Sequence, residues 1–205
     1  MKRAILILII LFSLNAIGQD KKATESQNHW FLEAEKDVDS FNIREAFYAY
    51  QFSYKMLPNN ELGKKAKTLS DSLRRILRKE LIKDLTGNWK LKIYGRIKSE
   101  SDRNHYERLG KFLKIRNDSI FYYKNRVRLI LNKPKSIQKI EFCDLETTFP
   151  HYADITHENN KIWSYHIDST MKRLIIEENG ELSKDGKSRS WVGSHPSGYT
   201  YYRIK

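Results

Sequence analysis

Two short stretches of the 205-residue chain gather the residue types that can do chemistry. The first, FPHYADITHENN at 149–160, holds His151, Asp154, His157 and Glu158. Two imidazoles and two carboxylates can bind a divalent cation. The six-residue spacing of the histidines fits neither a helix face nor a zinc loop, however, so the stretch reads as a polar, solvated loop. The second, WVGSHPSGYTYY at 191–202, holds Ser194, His195 and Ser197. A serine beside a histidine is the kernel of a nucleophile–base pair. The strand–turn–helix setting of a nucleophile elbow is missing and no acid is placed to complete it, so a Gly/Ser/Pro loop is the better account. Cys143, the one cysteine, stands in the strand-like run KIEFCDLE. It allows no internal disulfide and no thiolate metal site, and reads as a small buried hydrophobe. Phosphate-cradling glycine loops, paired catalytic carboxylates and a Walker-type lysine are absent from the sequence. No catalytic residue, metal ligand or cofactor is therefore assigned, and the chain reads as non-enzymatic.

The elements that must position these residues fall into three segments. Residues 1–18 read as a secretory signal peptide. Lys2 and Arg3 precede an apolar run from Ala4 to Phe12, and Ala16-Ile17-Gly18 gives a small-x-small cleavage site. The run is shorter than the roughly 20 residues that span a bilayer, so an exported protein that does not span the membrane is expected, periplasmic or extracellular. No cysteine follows the run to carry a lipid anchor. An apolar leader followed by Gln19 resembles secreted proteins of the Bacteroidetes type. The formal charge is +13, or +11 once Lys2 and Arg3 leave with the leader. That charge could favour nucleic acid, anionic lipid or acidic polymer. It is spread along the chain and joined to no nucleic-acid motif, and export further argues against a nucleic-acid partner.

Residues 19–84 form the second segment, with helical periodicity. Trp30, Phe31, Ala34, Val38 and Phe41 recur three to four apart, as do Ile43, Ala46, Phe47, Tyr50, Tyr54 and Leu57. Pro58 ends the second helix because proline cannot continue the hydrogen-bond ladder. Leu62, Ala66, Leu69, Leu73, Ile76, Leu77 and Leu81 stripe a third. Trp30 and Ala34, then Ala46, Tyr50, Ser53 and Pro58, resemble one tetratricopeptide repeat, with Glu33 and Asp37 departing from the family pattern. A plain three-helix module accounts for the same spacing. Residues 27–84 are the expected surface for a protein or envelope partner.

Residues 85–205 change to a period of two. LTGNWKLKIYGR opens this segment, with Trp89, Leu91 and Ile93 alternating against Lys90, Lys92 and Tyr94. Strands are expected at 109–116 and 119–124 about the turn Asn117-Asp118. Further strands are expected at Val127, Leu129 and Leu131, and at 137–145, 161–167, 171–177, 190–193 and 199–204, with turns at Asn179-Gly180 and Asp185-Gly186. The expected fold class is α+β: a helical hairpin and a further helix, then an antiparallel up-and-down β-barrel of roughly eight strands.

Leu85, Gly87, Trp89 and Leu91 reproduce the Leu-x-Gly-x-Trp-x-Leu start of lipocalin-like (calycin) domains, which the segment resembles. The resemblance implies that a basic residue of the last strand packs across the Trp and closes the barrel. Arg203 fills that role, so Gly87, Trp89 and Arg203 are read as closure residues and not as a binding site. Phe112, Tyr122, Phe142, Trp163, Tyr165 and Tyr201 are the candidates for lining the barrel. Trp163, Tyr165 and Ile167 share one face, which sends Ser164 and His166 outward. These aromatics could wall a small apolar or amphipathic ligand or fill the interior themselves. Two main readings follow: an exported binding protein with a ligand in its barrel, or an envelope-associated interaction protein with a filled barrel and partner-binding helices. A hydrolase using His195 is a third.

Overall fold

The structure is a computed structural model of the chain. It describes residues 2–92, 111–145, 151–157, 160–190 and 198–205, with the backbone alone for 2–20. The chain is α+β and divides into two compact units, Met1–Leu77 and Arg78–Lys205. The break falls inside a helix, ahead of the change of sequence period at residue 85.

The first unit holds α1 (Lys2–Asp39), α2 (Ile43–Met56) and most of α3 (Glu61–Leu85). α1 continues unbroken through the segment read as a leader. The core brings Phe31 and Ala34 of α1 against Ala49 and Tyr50 of α2 and Ala66 of α3, with Trp30, Val38, Tyr54, Leu62, Leu69 and Leu73 around it. The small residues let the helix backbones approach, and the aromatics fill the space between them. A polar joint locks the turn after α2. Gln27 is fully buried, and its side-chain amide donates to the carbonyls of Ser53 and Leu57, each at 3.1 Å. Asn60 Nδ2 donates to Gln27 Oε1 at 2.6 Å, and Asn60 Oδ1 accepts from the Gly63 amide at 2.7 Å to start α3.

The second unit begins with the last turns of α3, whose Leu81 and Leu85 enter the core of the sheet. Among the described residues ten antiparallel strands follow: β1 (Gly87–Lys92), β2 (Phe112–Arg116), β3 (Ser119–Tyr123), β4 (Ser136–Lys139), β5 (Glu141–Phe142), β6 (Asp154–Thr156), β7 (Lys161–Asp168), β8 (Arg173–Leu182), β9 (Arg189–Ser190) and β10 (Gly198–Ile204). Among the described residues a further helix, α4 (Arg126–Ile130), lies between β3 and β4. The sheet order is β4-β3-β2-β1-β10-β8-β7-β6-β5, with β9 beside β8. Neighbours are consecutive in sequence except where β1 meets β10 and where β10 meets β8. Among the described residues the pairing path is open, with β4 and β5 at its ends and no ladder between them, so the closed ring expected from the sequence is not present in the pairing. The core is the face carrying Trp89, Leu113, Ile115, Ile120, Tyr122, Ile155, Trp163, Tyr165, Leu174, Ile176, Tyr199 and Tyr201.

Four local expectations are corrected. The run Val127, Leu129 and Leu131 forms α4 rather than a strand, because the Asn125 side chain caps the Arg128 amide at 2.9 Å. Asn179-Gly180 lies inside β8 and makes no hairpin; Gly180 takes φ +150° and the strand runs on to Leu182. Part of the expected loop at 149–160 is strand β6. Ser164 does not face solvent: it is buried, while its neighbour-but-one His166 is exposed. Among the described residues, no helix is long and apolar enough to cross a membrane.

Candidate functional site

Three arrangements in the sheet unit gather side chains with chemical potential. The first is the start of β1. Gly87 takes φ +150°, and a Cβ there would lie 3.1 Å from Arg203 Nε. Glycine therefore both permits the backbone turn and leaves room for the guanidinium. Trp89 and Arg203 are direct cross-strand partners of β1 and β10. The Arg203 guanidinium lies 5.3 Å over the Trp89 ring and Nη2 donates to the Thr86 carbonyl. Trp89 is 1% exposed, and its indole N–H donates to the Leu85 carbonyl at 2.8 Å. The sequence thus names three residues that the structure brings together. Beside them a cleft of about 360 Å³ is lined by Asp84, Trp89, Ile167, Ser169, Lys172 and Arg203.

The second arrangement is the aromatic face of the sheet. Of the six side chains read as barrel-lining, Tyr122, Trp163, Tyr165 and Tyr201 are 5% exposed or less and belong to one packed core. Phe142 packs against that core, with the Arg78 guanidinium 4.5 Å over its ring. Phe112 does not join them. It alternates with Leu113 and Ile115, which face the core, and pairs with Tyr123 on the other side. Polar ends within this face are satisfied by a chain of hydrogen bonds. The Tyr122 hydroxyl donates to Gln138 Oε1 at 3.1 Å and is also hydrogen-bonded to the Tyr165 hydroxyl. Tyr165 in turn lies 3.0 Å from His157 Nε2. Burial, then the neighbouring Tyr122 and Tyr201 hydroxyls, push the Tyr165 phenol well above its ordinary range. The Tyr165 phenol is thereby held neutral at neutral pH among packed rings.

The third arrangement lies on the opposite face of β6, β7 and β8 and has no counterpart among the sequence assignments. Asp154 Oδ2 accepts from Arg189 Nη1 at 2.6 Å, and Oδ1 accepts from the Ser164 hydroxyl and from Asn179 Nδ2, the latter at 3.0 Å. Arg189 also donates from Nη2 to the Asn179 carbonyl at 2.6 Å. Gly180 makes this docking feasible, since a Cβ there would lie 2.9 Å from Arg189 Nε and closer still to the Ser190 carbonyl. Both oxygens of the carboxylate are engaged, so the group is a satisfied buried network and not an open acid or base. Asp154 was legible as a residue of interest. Arg189, 35 positions away, offers no local signal.

The remaining assignments are placed as follows. Cys143 is half-buried, and its carbonyl accepts from Arg78 Nη2 at 3.2 Å. His151 is exposed. Glu158 and the segment with Ser194, His195 and Ser197 lie outside the described residues. Among the described residues, no three His, Cys, Asp or Glu side chains stand together as a metal site. No protein-family model, curated protein or solved structure matches the chain.

Proposed function

We propose that the chain is an exported, non-enzymatic interaction protein of the cell envelope, in which a filled, lipocalin-like sheet unit serves as a scaffold and the helical segment at 27–84 meets a partner. The observation that carries this reading is the packing of Tyr122, Trp163, Tyr165 and Tyr201 as a single core with their polar ends already paired. A ligand entering there would have to displace packed rings and break the Tyr–His chain. The barrel-like part of the reading is supported by the ends of the sheet. β4 and β5 are separated by Ile140 alone, and Gln138 Nε2 of β4 reaches the Thr156 carbonyl of β6 at 3.5 Å. The tetratricopeptide-like part is supported by Ala34, Ala46 and Ser53, each fully buried where the repeat calls for small residues. Native mass spectrometry and titration with a fluorescent fatty acid test the filled interior. We expect no co-purifying ligand and no saturable uptake. Saturable uptake that disappears in Tyr165→Trp would return the function to a ligand-holding barrel.

A second reading is favoured by one observation, the cleft beside Trp89. Its volume of about 360 Å³ lies at the lower end of small-molecule sites, and Lys172, Arg203 and Asp84 give it charged walls. A small amphipathic ligand would then sit at the rim of the sheet rather than inside it. Fatty-acid uptake that survives Tyr165→Trp but fails in Lys172→Glu is the result that selects this reading.

A further inference from the structure

The stretch from β3 to β5 has a composition and a surface unlike the rest of the sheet unit. Between Asp118 and Glu141 the sequence contains six cations, Lys124, Arg126, Arg128, Lys133, Lys135 and Lys139, and no acid. All six are exposed. Among them stand four aliphatic side chains that a folded domain ordinarily hides: Val127 is 63% exposed, Ile130 73%, Leu131 58% and Ile137 53%. Val127, Ile130 and Leu131 are spaced i, i+3, i+4 and so share one face of α4. That helix buries none of its residues. Only Leu129 is half-covered.

This surface is built, not loose. Asn125 caps the start of α4. Its end is closed by the amides of Leu131 and Lys133, which donate to the carbonyls of Val127 and Arg128, each at 2.9 Å. Asn132 takes a left-handed φ of 50°, the conformation in which asparagine commonly ends a helix. Its Oδ1 is pinned from beneath by the hydroxyl of Tyr123, a fully buried ring, at 3.0 Å and by Lys114 Nζ at 3.3 Å. The Lys135 amide then donates to the Tyr122 carbonyl at 2.7 Å. Its cap and its Asn132 clamp hold the helix with this apolar face outward.

We propose that the surface formed by α4 and edge strand β4 docks on an anionic lipid bilayer, with Val127, Ile130, Leu131 and Ile137 entering the headgroup boundary and the six cations pairing with lipid phosphates. The chemistry selects this occupant. Aliphatic side chains ringed by lysine and arginine match an interface that is apolar below and negatively charged above. Nucleic acid would reward the cations but not the aliphatic face. A second copy would bring six cations against six. Lys135 and Lys139 also guard the β4 edge against pairing with another strand. The inference is independent of the role given to the helical unit.

The test is co-sedimentation of the full-length chain with vesicles of phosphatidylcholine alone and of phosphatidylcholine containing phosphatidylglycerol, at low and high salt. Two double variants, Ile130→Ser/Leu131→Ser and Arg126→Gln/Arg128→Gln, are run in parallel, with thermal melts to show that folding is unchanged. We expect binding to the anionic vesicles only, weakened by salt, and a loss of roughly tenfold or more in each variant. A third variant, Val127→Trp, is expected to shift tryptophan emission to the blue on binding. Three outcomes overturn the proposal. One is no binding to anionic vesicles. Another is binding unchanged in both double variants. The last is binding lost in the arginine variant alone and competed equally by heparin, which would make the surface a general polyanion site.

Discussion

Arg189 and Asp154 make a 2.6 Å ion pair with side chains only 2% and 1% exposed. Removing one member would leave the other charged, buried and unpaired, which typically costs about 3–5 kcal/mol. We expect Arg189→Ala to lower the unfolding free energy from urea melts by that amount. Combining Arg189→Met with Asp154→Leu should cost much less than the sum of the two single changes. A second residue-scale prediction concerns pH. Burial raises the Tyr165 phenol above its unfolded value of about 10. In a group whose folded pKa is raised, stability is full below the unfolded pKa and is lost as pH rises toward the folded one. The urea midpoint should therefore fall above about pH 10, and the fall should be shallower in Tyr165→Phe, which lacks the ionisable group. Residues of this kind differ in how far the sequence exposes them. Gly87 and Trp89 sit two apart at a change of period, and Arg203 ends the last strand, so their meeting could be anticipated. Arg189 could not, because its contacts are made across a sheet fold that no local pattern encodes.

At the scale of elements, the misread segments share a cause. Val127, Leu129 and Leu131 alternate as a strand would, but Val127, Ile130 and Leu131 also fit one helix face, and a single capping hydrogen bond from Asn125 decides between them. Asn179-Gly180 has the composition of a hairpin turn, but tertiary contacts override it: Gly180 lets Arg189 pack on β8. Gly180→Ala should accordingly cost more than about 2 kcal/mol, since both its φ and its space are unsuited to a side chain. Denaturant melts would show it, and a loss under 0.5 kcal/mol, the size of an ordinary surface change, would count against that account. The last turns of α3 offer a sharper case. Arg78 stacks on Phe142, donates to the Tyr152 and Cys143 carbonyls, each at 3.2 Å, and pairs with Asp144 Oδ1 at 2.7 Å. Its planar fork makes these contacts together, which a lysine could not. We expect Arg78→Ala to destabilise the sheet unit by about 1–3 kcal/mol, with Arg78→Lys recovering less than half in thermal melts.

At the scale of the whole molecule, the α+β class and the order of helices before strands were legible, because the hydrophobic period changes once and sharply near residue 85. The two compact units divide within α3, between Leu77 and Arg78. Leu81 and Leu85 continue the helical stripe without interruption, yet they belong to the core of the sheet. A periodicity argument sees only that a helix has an apolar face, never which neighbour covers it. We therefore expect two unfolding transitions in calorimetry, with Leu85→Ala lowering the transition of the sheet unit by about 2–5 kcal/mol and leaving that of the helical unit in place. Merged transitions shifted together would contradict the division. The pairing of β1 with β10 carries a mechanical meaning as well. Asn88 stands opposite Ile204, so the two ends of the strand region emerge side by side at the same end of one ladder. A force pulling those ends apart would load the hydrogen bonds one at a time, like opening a zip, and not all at once in shear. The domain should yield at low force however stable it is to heat, which pulling on the two ends with an optical trap would read directly.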